Sequence, residues 1–142
     1  MWTFKYKPKN LKEFVNQTEA VETFLKLMKR RPSGKALLFH GPPGTGKTTL
    51  VEAYASENKL DLIQLNASDY RSASAIKEVL GKSLTQQSLF KRGKIFFIDE
   101  IDGLSGSEDR GGVGEVIDLI KESIYPIILT ANSPWDSKLR TL

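Results

Sequence analysis

Gly41-Pro42-Pro43-Gly44-Thr45-Gly46-Lys47-Thr48 carries the G-x-x-x-x-G-K-T spacing of a phosphate loop. Its glycines let the backbone wrap closely around the β- and γ-phosphates of a nucleotide. The helix that must follow adds about half a positive charge at the same place. Lys47 then bridges the β- and γ-oxygens, the Thr48 hydroxyl ligates Mg²⁺, and Thr49 completes the phosphate-binding set. A second group, Asp99-Glu100-Ile101-Asp102, ends the apolar run Lys94-Ile95-Phe96-Phe97-Ile98. Asp99 there would hold Mg²⁺ through its water shell, and Glu100 would orient and deprotonate the attacking water, because phosphoryl transfer needs mainly positioning and charge stabilisation. Asp102 acquires no role from its spacing. Asn132, just past Pro126-Ile127-Ile128-Leu129-Thr130, would hydrogen-bond the γ-phosphate or the water, or else cap the next turn. Lys47, Glu100 and Asn132 are thus the catalytic candidates. Asn66, also at a strand end, either holds Glu100 inactive until a partner binds or simply forms a turn.

These groups need a scaffold that brings them to one place. The phosphate loop sits between the apolar run Ala36–His40 and the amphipathic stretch Thr48–Asn58, the strand-loop-helix setting its chemistry requires. Upstream, Thr18 and Glu19 precede the stripe Val21, Phe24, Leu25 and Met28, which Lys29-Arg30-Arg31-Pro32-Ser33-Gly34 closes as a helix end. Downstream come a strand at Leu62–Leu65, a turn at Asn66–Asp69 and a helix over Ala73–Leu80. The acidic-tipped strand, a helix near Glu115–Glu122 and a strand at Pro126–Thr130 follow. Strands alternating with helices predict an α/β fold, a P-loop three-layer sandwich with a mostly parallel sheet and right-handed crossovers. Continuous apolar strands belong to sheets covered on both faces, whose ligands gather at the carboxyl ends of the strands. Such a sheet brings residues 41–49, Asp99, Glu100 and Asn132 to one rim.

Composition narrows the chemistry. With 142 residues and 39% apolar content, the chain builds one core and one domain. It has no cysteine and one histidine, His40, which excludes disulfides, thiol catalysis and multi-histidine metal sites and leaves Mg²⁺ with the nucleotide as the metal to expect. The net charge of +4 is uneven, with nine Lys/Arg against three Glu in residues 1–35 and twelve against fourteen acids in 36–142. A basic end of this size suits a solvated surface as well as a polyanion. No stretch reaches the roughly 18 apolar residues that span a bilayer, and Met1–Asn10 alternates aromatics with lysines, so an intracellular location is expected.

Taken together, the phosphate loop, the Ile98-Asp99-Glu100 element and Asn132 resemble the AAA+ ATPases. Narrower features are similar to the clamp loaders of the replication factor C large-subunit family. These are Tyr6-Lys7-Pro8-Lys9-Asn10-Leu11 with Val15 and Gln17, Leu65-Asn66-Ala67-Ser68-Asp69, and Glu108-Asp109-Arg110-Gly111-Gly112-Val113-Gly114. The resemblance implies an N-terminal box over residues 1–20 in which Tyr6, Pro8 and Val15 flank an adenine, preceding a P-loop core over 36–142. It implies ATP as the nucleotide, replication factor C small subunits, the ring-shaped sliding clamp PCNA and primer-template DNA as partners, and an arginine supplied by the neighbouring subunit for hydrolysis. It also implies cytoplasm or nucleoid in an archaeon and nucleus in a eukaryote. Leu89 and Phe90 correspond to the plug into the clamp, although a core-facing helix end would show the same pair. Arg71, Ser72 and Arg110 correspond to helix starts that grip DNA phosphates, or they are solvated helix starts. The family's fifth strand, helical lid and collar have no counterpart in these 142 residues, so the chain reads as an N-terminal piece of a longer protein.

Overall fold

The structure, a computed structural model, describes residues 10–14, 17–30, 34–70, 73–85, 92–104, 110–133 and 135; it does not describe the side chains of residues 73, 84, 85 and 110–112. In chain order the elements are α1 (Thr18–Arg30), β1 (Ala36–His40), α2 (Lys47–Glu57), β2 (Asp61–Asn66), α3 (Ala73–Thr85), β3 (Lys94–Asp99), α4 (Arg110–Glu122) and β4 (Ile127–Ala131). Short 3-10 turns occupy Leu11–Glu13, Ala67–Asp69 and Ile101–Gly103. Strand and helix alternate as expected, and all three strand pairings are parallel in the order β1-β4-β3-β2.

Period-two alternation along the two middle strands sorts their side chains into separate layers. Phe96 and Ile98 of β3, with Ile127, Leu129 and Ala131 of β4, pack beneath Ile76 and Leu80 of α3 and Val116, Leu119 and Ile120 of α4. Ile95 and Phe97 of β3, with Ile128 of β4, face Leu50, Val51 and Ala55 of α2 and Val21, Phe24 and Met28 of α1. Phe24 pins α1 in place, its ring 5.4 Å from Phe39 and 5.0 Å edge-on from Tyr54. The middles of the central strands, Ile95–Ile98 and Ile127–Leu129, are therefore apolar because both faces are covered. β1, at an edge, leaves Leu38 38% exposed.

α3 runs to Thr85 and α4 begins at Arg110, so both exceed the helices that periodicity predicts. The extra turn of α4 includes Gly111 and Gly112, residues of low helix propensity that hide its start from sequence. Ile98 is fully buried between the two middle strands and α3. Ile98→Val should therefore lower stability by about 1 kcal/mol, read as an earlier urea midpoint with an unchanged slope. No helix among the described residues is long and apolar enough to cross a membrane.

Candidate functional site

Register places the strand tips together. Asn66 of β2 lies beside Asp99 of β3, and His40 of β1 lies beside Ala131 of β4. The loop joining β1 to α2 starts from this rim, where the Gly41 amide donates to the Ala131 carbonyl at 3.3 Å. Gly44 and Gly46 have φ of 79° and 88°, a left-handed backbone that glycine adopts without a side-chain clash. Gly46 caps α2 with no side-chain acceptor, and the first turn, Lys47-Thr48-Thr49, contains no acid. The opening amides of α2 and the positive end of its dipole are thus left for an external anion. Lys47 is folded across the loop, its Nζ donating to the carbonyls of Gly41 at 2.6 Å and Pro42 at 2.9 Å. Thr45 Oγ1 closes the turn by donating to the Pro42 carbonyl at 3.0 Å.

Alternation carries Asp99 to the same face as Phe97, toward the start of α2. Its Oδ2 accepts from Thr48 Oγ1 at 3.3 Å, and its Oδ1 accepts from Thr130 Oγ1. Two oxygens so placed, one hydroxyl and one carboxylate, match the donors Mg²⁺ takes when water and phosphate complete its shell. No group of three His, Cys, Asp or Glu that would form an all-protein cage occurs among the described residues.

Glu100 sits just past the strand in the left-handed region, φ 54°, which reverses the chain and turns its carboxylate away from the Asp99 face. Such strain is kept where the surroundings hold it. Here the Glu100 amide donates to Thr130 Oγ1 at 2.9 Å. The carboxylate accepts from Asn66 Nδ2, 3.3 Å from Oε2. Ser68 Oγ, also 3.3 Å from Oε2, shares its single proton between Oε2 and Asn66 Oδ1. Asn66 is itself fixed, its Oδ1 accepting from the Ser68 amide at 3.0 Å and from Ser68 Oγ at 2.6 Å, which leaves the Asn66 amino group facing Glu100. Beside the loop a cleft of about 230 Å³ is lined by Phe14, Val21, Phe39, Gly46 and Leu50 among others. The turn carrying Phe14 is tied to α2 by the Leu11 amide, which donates to Glu57 Oε1 at 2.8 Å. A second cleft, of about 220 Å³, lies at the opposite end of the sheet, where the strands begin, around Lys35, Leu37, Leu60 and Tyr125.

Of the sequence-derived candidates, Gly41, Pro42, Pro43, Gly44, Thr45, Gly46, Lys47, Thr48 and Thr49 form the loop and first turn of α2, and Asn66, Asp99, Glu100 and Asn132 stand at the neighbouring strand tips. Asn132 is exposed. Tyr6, Pro8, Val15, Arg71, Ser72, Leu89 and Phe90 lie outside the described residues, as does the side chain of Arg110, whose backbone opens α4. Sequence reasoning passed over Thr130, Ser68 and Phe14. Thr130 was findable from its alternation with Ile128, and Ser68 from the Asn-x-Ser turn spacing; Phe14 carries no such signal.

Fold and loop together define a P-loop protein of the AAA type. The model of the ATPase family associated with various cellular activities (AAA) matches residues 37–140, and the chain belongs to that family of nucleotide-binding ATPases. It is 48% identical over 97% of its length to the replication factor C large subunit of Nanoarchaeum equitans and 46% identical over 99% to that of Sulfolobus acidocaldarius. The chain spans 33% of each of these curated relatives, about a third of their length. A solved structure of Thermotoga maritima RuvB, the T158V variant, superposes with a TM-score of 0.63 at 26% identity, covering 96% of this chain and 46% of that one.

Proposed function

We propose that the chain is the ATP-binding and hydrolysing core of a clamp loader large subunit, which opens a sliding clamp and loads it onto primer-template DNA. The observation that carries this reading is identity of 43–48% to replication factor C large subunits across nearly the whole chain. The phosphate loop and strand tips support the ATPase part.

In this reading the amides of residues 44–48 and the positive end of α2 hold the phosphates, and Lys47 exchanges its two carbonyl partners for β- and γ-oxygens. The cleft beside Phe14, Val21 and Leu50 offers the apolar slot a purine base needs; Tyr6, Pro8 and Val15 would flank the same base. Thr48 and Asp99 would hold Mg²⁺, which neutralises charge on the phosphates. Glu100, released from Asn66 and Ser68, takes the proton of the attacking water, and Asn132 orients the γ-phosphate or that water. An arginine from the neighbouring subunit completes the site, an addition worth roughly 10³ to 10⁵ in rate. The partners are replication factor C small subunits, the sliding clamp PCNA and primed DNA, all inside the cell. Leu89 and Phe90 meet the clamp, while Arg71, Ser72 and Arg110 grip DNA phosphates.

A second reading, a different DNA-acting AAA machine, is favoured by the likeness to RuvB, a protein whose solved structure is titled a Holliday junction branch migration motor. The lower identity, 26%, weighs against it. The two separate on a sliding clamp. The full-length protein assembled with its small subunits should bind the clamp in ATP, and Leu89→Ala with Phe90→Ala should weaken that binding about 100-fold, as befits two apolar anchors. Clamp binding kept by the double variant would move the contact elsewhere. No clamp binding by the native assembly would favour the second reading.

A further inference from the structure

Asp102 has a structural position that its spacing did not disclose. It sits in the 3-10 turn Ile101–Gly103 directly after Glu100. Its Oδ2 accepts two backbone hydrogen bonds, from the Asn132 amide at 3.1 Å and the Ser133 amide at 3.2 Å. β4 ends at Ala131, so these two amides lie just past its end. The carboxylate therefore sets the direction in which the chain leaves β4, and with it the place from which the exposed Asn132 side chain reaches. Its other oxygen, Oδ1, is buried with no hydrogen-bond partner among the described residues.

The turn that carries Asp102 is itself gripped. Ile101 is 1% exposed and anchors it in the core, while the Gly103 amide donates back to the Glu100 carbonyl at 2.8 Å. On its flank, a Cβ on Gly103 would come within 3.1 Å of Ser68 Cβ, so the turn holding Asn66 and Ser68 lies directly against it. One rigid turn thus touches all three parts: Glu100, the Asn66-Ser68 pair that holds Glu100, and the amides beside Asn132.

We propose that Asp102 is a positioning residue that locks the Asn132 turn to the Glu100 turn, so that the γ-phosphate-side amide and the water-activating carboxylate keep one geometry. This inference rests on the functional reading above. It is tested in the full-length protein assembled with its partner subunits, using Asp102→Ala, Asn132→Ala, the double variant and Asp102→Asn, whose remaining side-chain oxygen still accepts both amides. Asp102→Ala should lower kcat about 100-fold, the scale of a displaced catalytic group, with ATP Kd changed less than about 3-fold because the phosphate loop is untouched. The double variant should be no slower than Asn132→Ala, since Asp102 acts through it, and Asp102→Asn should recover most of the rate. Independently of activity, hydrogen exchange of the segment 129–135 should quicken in Asp102→Ala and stay native in Asp102→Asn. Should Asp102→Ala not fold, Asp102→Ser, too short to reach both amides, takes its place in every comparison.

Unchanged exchange, an unchanged kcat or additive effects in the double variant would each overturn the inference alone. A native assembly that turns over no ATP would overturn the functional reading and this inference with it.

Discussion

Lys47→Ala should weaken ATP binding about 100-fold while leaving the protein folded. The ammonium is the only side-chain cation in the phosphate loop, and it stands over the loop's mouth on the carbonyls of Gly41 and Pro42. A phosphate must take the lysine from these carbonyls, so the net gain is the difference between charge-assisted bonds to an anion and bonds to neutral oxygens. Hydrogen bonds to charged groups contribute about 1.5–3 kcal/mol each; one such bond's net worth, near 3 kcal/mol with the Coulomb attraction, is about 100-fold in Kd. Of the two carbonyls released by the substitution, that of Pro42 is exposed and that of Gly41 half-buried at the loop's mouth, where water replaces the lysine, and stability should change little. Titration calorimetry with ATP on the full-length protein reads the first quantity, and thermal unfolding without nucleotide reads the second. A Kd within about threefold of native would mean that the amides at the start of α2 hold the phosphates without Lys47, contrary to the proposed site.

What could be read from the chain before its structure depended on how local the signal was. The phosphate loop is local: eight consecutive residues between an apolar strand and a helix, and β1 falls on Ala36–His40 as the composition requires. β3 is nearly as plain, because a strand buried on both faces is apolar through its middle, Ile95–Ile98, and ends where its carboxylates surface. Helix ends were less legible. α4 starts five residues before Glu115 through Gly111, Gly112 and Gly114, so packing of its later turns against α3 and the sheet outweighs local propensity there. The strand order was not legible, since alternating helices and strands dictate parallel pairing and right-handed crossovers but not which strand lies beside which.

The finer wiring of the site was hidden for the same reason. Ser68 reaches Glu100 across 32 residues, Asp102 reaches the Asn132 amide across 30, and Thr130 reaches Asp99 across 31. Each joins the tips of adjacent parallel strands, and such neighbours are separated in sequence by a whole crossover helix. Residue type told which groups could do chemistry; only the register tells which of them meet.

That wiring bears on the largest rate effect expected of a single substitution. Glu100→Gln should leave ATP binding unchanged and lower hydrolysis by the assembled protein by about 10² to 10⁴, the range of a lost general base. Glutamine keeps the length and shape of the side chain, its oxygen still accepts from Asn66 and Ser68, and the backbone N–H of residue 100 still donates to Thr130 Oγ1, so the left-handed backbone at φ 54° is held as before. Only the ability to take a proton is removed. Asn66→Ala provides the converse. It removes one of the two donors 3.3 Å from Oε2 and the acceptor that fixes Ser68 Oγ, so the carboxylate keeps only the Ser68 hydroxyl and is held less firmly. ATP turnover without DNA should then rise several-fold, approaching the DNA-stimulated rate, if the Asn66-Ser68 pair restrains Glu100; the double variant Asn66→Ala/Glu100→Gln should be as slow as Glu100→Gln alone. Steady-state phosphate release with and without primed DNA, beside a nucleotide-binding titration, gives all of these values. Turnover persisting in Glu100→Gln would remove Glu100 as the base. Turnover lowered by Asn66→Ala would make Asn66 a support for the active carboxylate rather than its restraint.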